Sequence, residues 1–253
     1  MHIHPSLESE NMKFNGERAL FAANSVGIQR VIVLSNSYSK SAYRDYARTQ
    51  NSFVAREAKK HPSKIAGACA VNPIMDWALE EIKRCKQDGL KILKLHTIDS
   101  GMDLRKQEDL AELKKVFNLA SEFKMTVLIH GNMSRAIRGS EADILVKTIS
   151  DFPKIRFIIG HLMGRELDAL KNFKHPNFLL EVSVLPPWMT EQSQKDNLVK
   201  AMKEIGLQHF VFGSNWPIYH PAELLHALQE LPFTSAELED IAYHNSKALD
   251  DLF

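Results

Sequence analysis

TVLIHG, residues 126–131, is a run of β-branched and apolar residues closed by a histidine and a glycine. A run without polar alternation reads as a strand buried on both faces, not as one with a face in water. The same kind of run recurs along the chain: VIVLS (31–35), KIAGACAV (64–71), ILKLHT (92–97), IRFIIGH (155–161), NFLLEVS (177–183) and HFVFGS (209–214). Between these runs lie longer amphipathic stretches. In DLAELKKVFNLASEF (109–123), Leu110, Leu113, Phe117 and Ala120 share one helical face. MDWALEEIKRCKQDG (75–89), ADILVKTISDFP (142–153) and NLVKAMKEIG (197–206) follow the same pattern and stop at Gly89, Pro153 and Gly206.

Strands that alternate with helices make a parallel sheet. MHIH at the start supplies a very short eighth strand, and eight such units in 253 residues match a closed (β/α)8 TIM barrel. The tail SAELEDIAYHNSKALDDLF (235–253) adds extra C-terminal helix after the last strand. A doubly wound open sheet is the competing α/β arrangement, but it favours a glycine-rich turn after its first strand, and no GxGxxG occurs. No repeat or linker divides the chain, so residues 1–253 read as a single domain.

Lysine and arginine number 32 against 31 acidic residues, a formal net charge of +1 that argues against a nucleic-acid partner. No segment approaches the ~18 apolar residues of a membrane span. The N-terminus lacks the apolar core of a signal peptide, so the expected location is the cytoplasm. Cys69 and Cys85 have neither metal-ligand nor redox spacing, and they read as reduced thiols.

Histidine placement carries the functional signal. His2 and His4 are two apart on a strand and so face the same way. His96, His130 and His161 fall at or near the C-terminal ends of predicted strands, the mouth where barrel enzymes build their sites. Imidazoles converging on one mouth suit Zn²⁺ or a similar divalent ion. His61 and His175 precede prolines and read as helix exits, His209 opens a strand at the opposite end, and His226 and His244 lie in helices. His220, in a predicted mouth loop, is left open.

HIH (2–4), LIH (128–130), IIGH (158–161), FGSNWP (212–217) and YHNSKAL (243–249), in that order, resemble the metal-dependent amidohydrolase superfamily. The similarity is to its amidohydrolase-related TIM-barrel branch, which includes aminocarboxymuconate semialdehyde decarboxylase and resorcylate-type decarboxylases. The resemblance implies that His2, His4 and His130 ligate one divalent metal, Zn first and Mn second, and that His161 polarises substrate or assists an attacking water. It places Lys94 and His96 of LKLH as substrate-contacting mouth residues. The family pattern also carries aspartate where this chain has Asn215, and an aspartate before the first-strand histidines that MHIH lacks.

Asparagine offers an amide oxygen to a cation but has neither charge nor a basic lone pair near neutral pH. General-base assistance is worth ~10²–10⁴ in rate, so this position bears on whether water is activated. The leading expectation is a hydrolase of a small, carboxylate-bearing amide, lactone or ester, with His161 as base and Asn215 as weakened ligand. The alternatives are a non-oxidative decarboxylase of a small carboxylic acid, or a catalytically degenerate barrel that binds. Arg135 and Arg138 are candidates to clamp a substrate carboxylate and Trp188 to wall the pocket. The expected partner is a small molecule, with a homodimer as the default assembly by analogy.

Overall fold

The computed structural model describes residues 2–3, 16–35, 43–97, 99–131, 139–165, 167–171, 173, 175–183 and 191–253. Eight strands run β1 (His2–Ile3), β2 (Val31–Leu34), β3 (Ile65–Ala70), β4 (Ile92–Leu95), β5 (Thr126–Ile129), β6 (Phe157–Ile159), β7 (Phe178–Val182) and β8 (Phe210–Phe212). All neighbours pair in parallel, and the sheet order is the sequence order β1 to β8. No β8–β1 register is found among the described residues. Helices α1 (Gly16–Asn24), α2 (Arg44–Lys60), α3 (Ala78–Gln87), α4 (Gln107–Glu122) and α5 (Gly139–Ser150) fill the first five crossovers. After β7 come α6 (Gln192–Ile205), α7 (Pro221–Gln229) and α8 (Ser235–Ala242). The fold is a (β/α)8 TIM barrel, as the apolar runs predict.

Period-two alternation sorts each strand into two faces. Ile32, Leu34, Ala66, Ala68, Ile92, Leu128, Ile158, Leu179 and Val211, from seven strands, form one cluster inside the curled sheet. Their neighbours in sequence, such as Val33, Leu93, Val127, Phe157 and Leu180, pack in the larger cluster that includes helix residues. Each aliphatic side chain removed from water contributes roughly 1.5–3 kcal/mol. Both faces are therefore dry, which is why the strands read as continuous apolar runs.

The tail closes the N-terminal end of the barrel. Leu249 and Leu252 join the inner cluster, and Phe253 packs against it. Asp251 pairs with Arg156 at 2.7 Å, its carbonyl accepts from Lys91 Nζ at 2.8 Å, and Asp250 pairs with Arg30. Those three cations each precede a strand start, so the tail seals one mouth and leaves the other for a site.

The β6–β7 crossover departs from the expected helix. His161, Leu162, Met163 and Gly164 have φ of 55°, 51°, 55° and 65°, a left-handed turn, followed by a single 3-10 turn at Leu167–Leu170. Gly131, the last residue of TVLIHG, lies against it: a Cβ there would fall 1.9 Å from the Gly160 carbonyl oxygen. The glycine is a requirement of close backbone approach.

The cysteine expectation is corrected. Cys69 and Cys85 form a disulfide, with Cα atoms 6.0 Å apart. Cys69 is on the outward face of β3, and Cys85 shares the buried face of α3 with Ile82. The two meet because α3 folds back over its own strand, a contact that sequence spacing does not encode. Among the described residues, no helix is long and apolar enough to cross a membrane.

Candidate active site

The inner face of the barrel changes character toward the C-terminal strand ends. Two residues above Ile92, Leu128, Leu179 and Val211 stand Lys94, His130, Glu181 and Gly213; two further on are His96, Ser183 and Asn215. The apolar plug is therefore capped by a layer of ionisable and hydrogen-bonding groups. His161 joins it from the turn after β6.

Three imidazoles are contiguous there. The His96 and His130 rings stack with centroids 3.6 Å apart, and His161 meets His130 edge-on at 4.5 Å. Both His96 nitrogens face Asp99: Nε2 lies 3.0 Å from Oδ2, and Nδ1 accepts the Asp99 backbone N–H at 3.2 Å. His161 Nδ1 lies 2.6 Å from Ser183 Oγ, and its backbone N–H donates to Glu181 Oε2 at 3.0 Å. Ser183 Oγ donates to the same Oε2 at 2.8 Å.

Lys94 is fully buried, and its Nζ has no hydrogen-bond partner among the described residues. Burial drives its pKa down to about 7, against the opposing charges of Glu181 and Asp99. Burial also raises the Asp99 carboxyl, while Lys94 lowers it.

Asn215 has φ of 55° and is buried; its Oδ1 makes no hydrogen bond among the described residues. Asparagine and aspartate are the side chains that best tolerate this left-handed backbone, so the turn admits either. Its oxygen and the imidazole of His130 have the donor chemistry of a divalent-ion site. His2 is held in β1 opposite Ile32, but its side chain, like all of His4, lies outside the described residues. No three His, Cys, Asp or Glu side chains among the described residues form a ligand group. Arg135, Arg138 and Trp188 also lie outside the described residues.

The remaining histidines have contacts of their own. His61 caps the C-terminus of α2, and His209 stacks on Phe178 at 4.1 Å just before β8. His226 is exposed and lies near Glu230, and His244 is half-buried and lies near Glu239. His220 is the N-cap of α7, accepting from Ala222 N–H at 3.3 Å. His175 is no helix exit: it is buried beside Phe157 and Phe173, and its Nε2 lies 3.2 Å from the Phe152 carbonyl.

Glu181 and Ser183 do not stand out in the sequence. NFLLEVS looks like an ordinary buried strand, yet a glutamate at an inward position was the available signal.

The amidohydrolase family model matches residues 2–249, the span that carries the strand-end histidines and the Asn215 motif. The chain belongs to the amidohydrolase family. No curated protein sequence matches it. Solved structures support the fold. A dihydroxybenzoic acid decarboxylase from Polaromonas sp., with bound manganese and the inhibitor 2-nitroresorcinol, is 17% identical with a TM-score of 0.69, covering 94% of this chain and 86% of that one. The 2,6-dihydroxybenzoate decarboxylase from Rhizobium is 15% identical with a TM-score of 0.71, covering 99% and 97%. A 5-carboxyvanillate decarboxylase from Novosphingobium aromaticivorans, an aspartate-to-asparagine mutant with bound manganese and a nitrobenzoic acid, is 16% identical with a TM-score of 0.68, covering 97% and 86%.

Proposed function

We propose that this amidohydrolase-family barrel is a metal-dependent, non-oxidative decarboxylase of a small aromatic carboxylic acid. Asn215 is the observation that carries this reading. A hydrolase must take a proton from water; the Asn215 amide cannot accept it, which leaves that task to His161. Decarboxylation asks for the reverse: the bond from the ring carbon to the carboxylate breaks, CO₂ leaves with the carboxyl carbon, and the ring carbon takes a proton. The solved structures of similar fold that are decarboxylases support the choice of reaction. Hydrolysis of a small carboxylate-bearing amide, lactone or ester stands second.

In this reading His2, His4, His130 and the Asn215 amide oxygen hold one divalent ion, manganese or zinc. The ion supplies positive charge that fixes and neutralises a substrate carboxylate. His161 takes a proton from solvent at Nε2, becoming the imidazolium, and passes that proton to the ring carbon. Arg135 and Arg138 clamp anionic substituents, Lys94 and His96 add positive or hydrogen-bonding character to the pocket, and Trp188 walls it. The partner is a small molecule alone, and two copies of the chain make the default assembly.

The test is CO₂ release from a panel of hydroxybenzoates, with Mn²⁺ or Zn²⁺ added and after chelation. Metal-dependent release, lost in His161→Ala, supports the decarboxylase. Metal-dependent cleavage of lactones or amides without CO₂ release returns the reading to a hydrolase. Binding of hydroxybenzoates with no turnover of either kind leaves a binding barrel.

A further inference from the structure

Glu181 Oε2 receives two donors, the backbone N–H of His161 and the hydroxyl of Ser183. A serine hydroxyl has one proton. With that proton directed to Glu181, the 2.6 Å contact between Ser183 Oγ and His161 Nδ1 has to be filled by a proton on Nδ1. The order of donation is therefore imidazole to serine to carboxylate. All three side chains are buried, so water does not compete for these positions.

We infer that Glu181 and Ser183 are positioning residues that set the tautomer of His161, holding the proton on Nδ1 and leaving Nε2 as the acceptor nitrogen. In a neutral histidine the hydrogen bond made by one ring nitrogen dictates the state of the other. The same carboxylate oxygen anchors the left-handed turn through the His161 N–H, so ring orientation and tautomer share one anchor. Gly213 makes room for it: a Cβ at that position would lie 1.6 Å from Glu181 Oε1. This assignment rests on the proposed role of His161 only for its effect on turnover; the tautomer itself belongs to the resting protein.

The experiment is a two-bond proton–nitrogen correlation spectrum of the ¹⁵N-histidine-labelled full chain, with Zn²⁺ added and at alkaline pH where the imidazoles are neutral. His161 is assigned by its loss in His161→Gln. The expected result is a protonated Nδ1 and an unprotonated Nε2 for His161. Ser183→Ala should shift the ring toward the Nε2–H form, and Ser183→Thr, which keeps the hydroxyl, should restore the wild-type pattern. In Glu181→Ala the hydroxyl is released to donate to Nδ1 and the same shift is expected. Ser183→Ala keeps the buried carboxylate and so decides the matter where Glu181→Ala does not fold. An Nε2–H wild type, or a Ser183→Ala spectrum identical to wild type, overturns the inference. Neither result depends on finding the substrate, so a failed decarboxylase assay and a failed tautomer assignment are told apart.

Discussion

Gly213 and Glu181 occupy one space. Glu181 is in β7 and Gly213 directly follows the neighbouring β8, and a methyl group on Gly213 would lie 1.6 Å from one carboxylate oxygen and 2.4 Å from the carboxyl carbon. The glycine of FGSNWP is thus the complement of a buried acid thirty-odd residues earlier. Gly213→Ala should destabilise the protein by about 2 kcal/mol or more, at the upper part of the ~1–3 kcal/mol typical of overpacked cores. Urea denaturation at neutral pH measures it. A loss below ~0.5 kcal/mol would mean that Glu181 swings away at little cost, contrary to its anchoring by two donors.

Lys94 makes stability depend on pH. Its folded pKa is lowered from 10.5 to about 7 by burial, so between those values the unfolded chain holds a proton that the folded chain lacks. Stability should therefore rise with pH across that interval and be flat in this respect below it. The steepest contribution of one proton is ~1.4 kcal/mol per pH unit. Urea midpoints from pH ~7 to ~9.5 should climb more steeply in wild type than in Lys94→Met by roughly 1 kcal/mol per unit. Equal slopes would place the lysine in contact with water.

The Cys69–Cys85 bond closes a short loop, the two residues being 16 apart. A loop near that length contributes roughly 3 kcal/mol in the chain-entropy account. Thiol titration of the unfolded, unreduced chain should find neither of these cysteines free, and reduction should lower stability by that amount. Two titratable thiols in freshly purified protein would restore the reduced-cysteine reading.

Asn215→Asp tests the metal site directly. Aspartate tolerates the same left-handed backbone, so the fold should be unchanged. A carboxylate in place of an amide oxygen should tighten Mn²⁺ at least ~10-fold, about 1.4 kcal/mol, in calorimetric titration. An unaltered affinity with an unaltered melting temperature would put Asn215 outside the ligand set.

The barrel was legible because its strands are dry on both faces. TVLIHG and its counterparts had to be continuous apolar runs, and their spacing left room only for crossovers. The positions of the strand-end histidines followed, since direction along a parallel strand is direction toward one mouth. His220 was not legible: its position in a loop beyond a strand leaves its role open, and only the fold shows the helix start that it caps.

Local pattern alone therefore determined the parallel α/β class, the eight units and the residues at their C-terminal ends. Only the tertiary structure decided which of those residues share protons. Whether Ser183 donates to Glu181 or to His161, whether Cys69 meets Cys85, and whether Lys94 is charged all depend on distances between separate strands and helices. Periodicity tells which way a side chain points along its own element. Hydrogen bonds, disulfides and buried charges are set by what the neighbouring elements place opposite it, and that comes into being only when the sheet curls.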